Sequence, residues 1–374
     1  MRKHYDIAAF VWPAFTGDEV RTRPFWPMGM GEWETVMNTD KKWEGHSWPR
    51  RPLWGYVNEA DPYVMEMEIN VAADHGVNVF IYDWYWFDNR PFLENCLNDG
   101  FLKAKNNDRM KFYLMWANHN VTNGWDKRIA ELRTIDDNII WMGTVKRDEF
   151  ERLAKRAIDK YFHHPSYYKI DGKPVFMIYE INNFISGLGG LAEAKSAVEW
   201  FKEECVKAGF PGLHLQLSST GENGVNMSGF DSNMTGATKE ALDYLGFDSF
   251  TNYQFCHFTD VNRDYLEILK DVEKEWQKID AKEYTVPYFP HVSVGWDNNP
   301  RFKENIFYET KNNTPENVKK AFQMAKDYID SHPDIHPLIT VNSWNEWTET
   351  SYLEPDNLYG YGYLEAIKEV FCKD

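Results

Sequence analysis

Glu346 and Glu349 stand three positions apart in the run WNEWTE, between and beside Trp344 and Trp347. The run follows an apolar, β-type stretch, Leu338-Ile339-Thr340-Val341, near the C-terminal end of the sequence. If a helical turn begins there, positions i and i+3 share a face. Neighbouring carboxylates raise each other's proton affinity, so one can stay protonated near neutral pH while the other is ionised. Glycosidic cleavage needs that division: an acid for the leaving oxygen, and a base or nucleophile on the sugar side. Two glutamates on a solvated helical face are the plain alternative. The flanking indoles argue against it and are expected to wall a cleft.

Such a pair must be held by a scaffold. Short runs rich in β-branched and aromatic residues occur at 7–11, 78–83, 111–116, 175–179, 213–217, 248–252, 285–290 and 338–342. Stretches of helical period separate them at 62–75, 148–162, 190–208, 239–245, 264–279 and 315–330, the first stopped by Gly76. Strand and helix alternating in this way across one domain, 1–374, predict an α/β fold, a (β/α)8 TIM barrel. Two connections are long: residues 12–61 after the first strand, rich in Pro, Trp and Arg, and residues 117–146 after the third. The first is expected to be an ordered wall or lid. Its Arg21, Arg23, Arg50 and Arg51 either meet an anionic substituent or pair with nearby acids.

Barrel active sites form at the C-terminal ends of the strands. Asp83 and Trp84 follow strand two; Trp116, Asn118 and His119 follow strand three; Tyr179 and Glu180 follow strand four. Ser218, Ser219 and Thr220 follow strand five, and Tyr253 follows strand six. His291, Trp296, Asp297 and Arg301 follow strand seven, and Trp344, Asn345 and Trp347 accompany the glutamates after strand eight. Catalysis is assigned to Glu346 and Glu349. Substrate binding is expected of Asp83, Trp84, Trp116, Asn118, His119, Glu180, Tyr253, His291, Trp296, Asp297, Arg301, Trp344, Asn345 and Trp347. Several have a plainer reading: Asp83 as a helix cap, His119 as a hydrogen-bonded structural histidine, Glu180 as an ion-pair partner of Arg301 or a lysine, Asp297 as a turn residue. The recurrence of polar and aromatic residues at one end of nearly every strand is what those readings do not predict. A variant pairs Glu180 with Glu346 across the barrel.

Aromatic residues make up 16% of the chain, with 16 Trp, 21 Tyr and 24 Phe, more than a core requires and suited to pyranose faces. A formal net charge of −17 repels phosphate backbones and anionic membrane surfaces, so no nucleic-acid partner is expected. Cys96, Cys205, Cys256 and Cys372 are scattered without a CxxC pair, so neither a zinc site nor a disulfide framework is expected, and no cofactor or metal is implied. No apolar run reaches the roughly 20 residues of a membrane span, so no membrane insertion is expected. No leader is visible at the start. A periplasmic or secreted location is expected if a signal peptide has been removed, and a cytoplasmic one otherwise. A monomer acting on carbohydrate is the expectation.

These residues resemble a known family. WNEWTE is similar to the Asn-Glu-Trp-x-Glu motif of glycoside hydrolase family 99, the endo-α-mannosidase and endomannanase barrels. The resemblance is closer to the WbsX-like group, described as carrying a family 99-like domain and often labelled glycosyltransferase. The marks are DPYVMEMEINVAADHGVNVFIYDWYWF (61–87), FYLMWANHN (112–120), YYKIDGKPVFMIY (167–179), WDNNPR (296–301) and SWNEWTETSYLEPD (343–356). They cover nearly the whole chain. The resemblance implies a (β/α)8 barrel, Glu349 as general acid/base, and Glu346 as the carboxylate that deprotonates a sugar 2-hydroxyl, giving a 1,2-anhydro intermediate and net retention. The family 99 substrate loops are not recognisable here, and WANHN stands where many WbsX-like members have WANEN, so mannose is not implied.

Three functions follow. The first is a glycoside hydrolase, with retention expected. The second is a glycosyltransferase of polysaccharide biosynthesis, although no GxGxxG and no Asp-x-Asp occurs, and Gly187-Leu188-Gly189-Gly190 reads more naturally as a turn. The third is a non-catalytic glycan-binding barrel, which the presence of both Glu346 and Glu349 disfavours.

Overall fold

The computed structural model describes residues 4–17, 19–126, 139–219 and 239–372. Eight parallel strands form the barrel: β1 Asp6–Val11, β2 Val79–Phe87, β3 Lys111–Trp116, β4 Lys173–Ile178, β5 His214–Ser219, β6 Ser249–Asn252, β7 His291–Ser293 and β8 Leu338–Asn342. Each pairs with its neighbour in parallel from β1 through β6, and β8 pairs with both β1 and β7. The β6–β7 seam closes through one parallel bridge, Phe250 with Tyr288: Phe250 N donates to Pro287 O (3.1 Å) and Phe289 N to Phe250 O (2.9 Å). The strand expected at 285–290 is therefore displaced, and the regular strand is His291–Ser293. Pro287 and Pro290 supply no N–H, so that stretch cannot form a ladder.

The main helices are α1 Pro62–Asp74, α2 Arg147–Ala157, α3 Leu191–Lys207, α4 Lys239–Leu245, α5 Tyr265–Ala281, α6 Pro315–Ser331 and α7 Gly362–Phe371. Local chemistry fixes their starts. Asp61 caps α1 ahead of Pro62, Asp264 caps α5, and Thr314 caps α6 ahead of Pro315. Between β2 and β3 a π turn, Cys96–Gly100, and a 3-10 turn, Phe101–Lys103, take the place of a long helix. The short helix Ile181–Leu188 and α7 have no counterpart in the sequence reading. In α1, Met65, Ile69 and Ala72 pack inward, and Gly76 follows in the left-handed region at φ +94°. Among the described residues, no helix is long and apolar enough to cross a membrane.

The two long connections are as expected in position. Residues 12–61 contain the short helix Trp33–Met37 and bury Trp12, Trp26, Trp33 and Trp48 against the core. After β3, strand Val121–Thr122 pairs with Ile139–Trp141. Residues 127–138 of that connection, and Thr220 after β5, lie outside the described residues.

Candidate active site

Strand parity decides which side chains enter the barrel. In β2, Asp83 and Tyr85 point inward, while Trp84 points out and donates from Nε1 to Glu94 Oε1 (2.8 Å). In β3, Tyr113 reaches Gln216 across the interior (3.0 Å), whereas Trp116 shares the outer side and packs on Phe150 and Phe184. Trp84 and Trp116 are thus removed from the set expected to bind substrate.

After β8 the chain makes a tight hairpin. Asn345–Glu346 pairs antiparallel with Ser351–Tyr352, and the 3-10 turn Trp347–Glu349 joins them, with Thr350 left-handed at φ +54°. In a 3-10 turn residues i and i+3 eclipse one another, so Glu349 comes back alongside Glu346. Ser343 Oγ accepts from Glu346 N (2.7 Å), and Asp297 N donates to Glu349 O (2.7 Å). Gly295 lets the β7 connection approach this hairpin: a Cβ there would fall 2.7 Å from Thr350 O.

Arg301 joins the two acids. Its Nη1 donates to Glu349 Oε1 (2.7 Å), its Nη2 to Glu346 Oε1 (3.4 Å), and its Nε to Thr348 Oγ1 (2.8 Å) and Glu32 Oε1 (3.3 Å). Glu346 and Glu349 are 4% and 9% exposed, so neither carboxyl points into bulk water. Burial, then the charge of Glu346, pushes the Glu349 carboxyl well above the usual range, with Arg301 opposing. Burial works against the Arg301 charge, but Glu32, Glu349 and Glu346 outweigh it and raise its pKa.

Tyr253 OH lies 2.9 Å from Asp83 Oδ2 and 2.8 Å from Glu346 Oε2. A phenol has one hydrogen, so it cannot donate to two ionised acids. Burial, then the charge of Glu346, pushes Asp83 well above the usual carboxylate range. Tyr253 can donate to one of the two, and the raised Asp83 carboxyl is suited to hold a proton of its own while the phenol bridges it to Glu346. Glu346 Oε2 is the far end of that chain, and Glu349, its carboxyl pushed upward, is the neighbour on its other side.

The remaining expected residues divide. His119 is half-buried beside Tyr85 and Tyr179, and burial lowers its pKa. Trp296 is 8% exposed with Nε1 unpartnered. Asp297 accepts from Asn299 N and Nδ2 and faces His46 Nε2 (2.8 Å), a turn role with a histidine hydrogen bond. Asn118 clasps both backbone groups of Glu180 (2.7 Å each), and Glu180 Oε1 caps the helix Ile181–Leu188 through Asn182 N (3.0 Å). Glu180 has no hydrogen bond or ion pair to Glu346 or Arg301. The Glu180–Arg301 ion pair is not formed; a catalytic pair of Glu180 with Glu346 across the barrel would need no direct contact. His291 is fully buried between Thr340 Oγ1 and Ser293 Oγ, held neutral by burial, inside the barrel rather than at its mouth.

Trp344 and Trp347 are not cleft walls. Both are fully buried, and their indole N–H groups donate to Glu68 Oε2 (3.0 Å) and Glu354 Oε2 (2.5 Å). Asn345 is likewise spent, tied to the Trp12 backbone and to Glu59. Three residues of the site escaped the sequence reading: Glu32, which also accepts from Trp12 Nε1; Thr348; and Tyr85. Of the loop arginines, Arg50 pairs with Asp356 (2.8 Å) and Arg21 with Glu19 (3.0 Å), so these two serve the wall itself.

Known proteins share the fold that carries this site. The family described as Glycosyltransferase WbsX matches residues 7–367. The chain belongs to the WbsX family. Relatives in two strains of Xanthomonas campestris pv. campestris, each named "Uncharacterized protein WxcX", are 25% identical over 359 and 366 residues. Those alignments cover 93% of this chain and 47% of each relative, so this WbsX chain spans about half the length of the curated relatives it matches. Among solved structures, a glycoside hydrolase-like protein superposes at TM-score 0.62 and 15% identity over 99% of this chain and 94% of that one. The GH99 endo-alpha-mannosidase from Bacteroides thetaiotaomicron superposes at TM-score 0.58 and 15% identity over 99% and 96%. At such identities the likeness shows a shared fold: the WbsX chain is a GH99-like (β/α)8 barrel.

Proposed function

We propose that the chain is a glycoside hydrolase acting on a poly- or oligosaccharide, with Glu349 as general acid/base and Glu346 as base or nucleophile. The observation that carries this reading is the geometry of the pair: two buried carboxyls side by side on one guanidinium, one of them pushed upward in pKa. Burial and the charge of Glu346 suit Glu349 to keep a proton, and Tyr253 links Asp83 to the other oxygen of Glu346.

In the first step Glu349 gives its proton to the glycosidic oxygen as the bond from C1 to that oxygen breaks. Glu346 supplies the electrons on the sugar side, by attacking C1 or by taking the 2-hydroxyl proton so that O2 attacks C1. Water then opens the intermediate, and the Glu349 carboxylate takes its proton. Arg301 keeps the ionised forms of both acids in hydrogen-bonded positions throughout. Tyr253, His119 and Trp296 offer sugar contacts at the mouth. Glu346→Gln and Glu349→Gln, each shown to be folded, are assayed on a glycan panel. Turnover by the parent and loss in both variants supports the assignment, and full activity in both refutes it.

The family description favours a second reading, a glycosyltransferase. The glycine-rich stretch that would serve a diphosphate is used as a chain reversal: Gly190 N donates to Ile185 O (2.9 Å) to end one helix just before α3. Thermal stabilisation by a nucleoside diphosphate sugar, and none by oligosaccharides, would move the assignment to this reading.

A further inference from the structure

Behind the stretch that carries Glu346 lies a second group of acids, which the proposed reaction does not use. Glu59 ends the first long connection, Glu68 sits within α1, and Glu354 follows the hairpin after β8. Each offers an oxygen within 4.8 Å of those of the other two, and all three side chains are 2% exposed or less. Their hydrogen bonds come largely from one stretch. Trp344 Nε1 donates to Glu68, Asn345 Nδ2 to both oxygens of Glu59 (2.9 Å each), and Trp347 Nε1 to Glu354. The Cys96 thiol lies 3.6 Å from Glu59 Oε2. Glu68 Oε1 and Glu354 Oε1 are buried without any partner. Among the described residues, no lysine, arginine or histidine is ion-paired or hydrogen-bonded to any of the three.

Three buried carboxylates without a counter-charge are strongly disfavoured, so protons or a cation must supply it. Two features favour a cation. Glu68 Oε1 and Glu354 Oε1, opposite the oxygens taken by the indoles, are left with nothing to bond, which is costly unless something sits between them. Each carboxylate is also oriented by an outer donor, as carboxylates that hold a metal commonly are. The donor set is all oxygen, which suits a hard ion. Calcium takes oxygens at about 2.3–2.6 Å, so oxygens on opposite sides of it lie roughly twice that apart, compatible with the spacing here.

We propose that Glu59, Glu68 and Glu354 form a binding site for a hard divalent cation of the calcium class, which fixes the Trp344–Trp347 stretch from behind and so positions Glu346. The site does not depend on the reaction assigned above.

Elemental analysis of the protein purified without chelator gives the ion and its stoichiometry. The protein stripped with EDTA is then titrated with terbium under tryptophan excitation, because Trp344 and Trp347 adjoin the site. Its Tm is followed with added calcium, magnesium and manganese. The expected result is about one ion per chain, sensitised emission that calcium displaces, and a Tm that falls by several degrees on stripping and recovers with calcium. Glu68→Gln or Glu354→Gln abolishes these responses. If neither variant folds, the stripping and recovery of the parent decide. No bound ion, with Tm and emission indifferent to millimolar cation, overturns the proposal in favour of shared protons; emission unchanged in both variants places the ion elsewhere and overturns it equally.

Discussion

Two groups of buried carboxylates lie back to back across Trp344–Trp347. On the substrate side, Glu32, Glu346 and Glu349 surround Arg301, with Asp83 joined through Tyr253. On the far side, Glu59, Glu68 and Glu354 meet only neutral donors among the described residues. Burial raises proton affinity in both places. Among the described residues only the first has a fixed cation, Arg301, beside an acid whose proton affinity is raised, the combination that the proposed acid/base chemistry needs. The motif residues between them are shared out accordingly: Glu346 faces Arg301, and its three neighbours serve the acids behind.

Removing the fixed cation breaks the comparison most severely. Arg301→Met leaves Glu32, Glu346 and Glu349 buried without a counter-charge, and unfolding in denaturant is expected to show a loss of about 3–5 kcal/mol, with activity lost as well. A stability change below roughly 1 kcal/mol would mean the acids are not charged as described. Next comes Glu349→Gln, which leaves the fold intact and lowers turnover on an unactivated glycoside by about 10²–10⁴-fold. The parent should lose activity as pH rises through the raised pKa of Glu349, because the acid then lacks its proton. With a leaving group that needs no protonation, that alkaline limb should vanish and Glu349→Gln should recover most of the first step.

Trp347→Phe probes the far side. It deletes the donor to Glu354 but keeps an apolar ring, and a loss of about 1–3 kcal/mol is expected from the unsatisfied acid. The smallest effect is expected for Trp116→Phe. That side chain lies on the helix side of β3 with its N–H unpartnered, so turnover should stay within about twofold of the parent. A large drop in KM-normalised rate there would restore Trp116 to the site.

The barrel was legible because its strands are short apolar runs separated by helical periods, and the Glu346–Glu349 pair because its spacing is local. Other parts were legible in principle. Phe112, Leu114 and Trp116 share one parity, and Asp83 shares the opposite one with Tyr85, so alternation alone would have turned Trp84 and Trp116 outward. Glu68 falls on the stripe Met65, Ile69, Ala72 of α1, where an acid needs a buried partner. The indoles misled because a tryptophan beside an acid reads equally as a sugar platform or as a hydrogen-bond donor, and only the fold shows which acid it meets. Glu32 carried no local signal: it lies in an irregular connection, 269 positions from Arg301 and 316 from Thr348.

The proposed hydrolysis requires a proton on Glu349 at neutral pH and none on Glu346. Infrared difference spectra of the parent against Glu349→Gln and against Glu346→Gln at pH 7, repeated in D2O, read this directly. The account predicts loss of a protonated carboxyl band in the first pair and of an ionised carboxylate band in the second. The reverse assignment, or carboxylate bands lost in both, would contradict it.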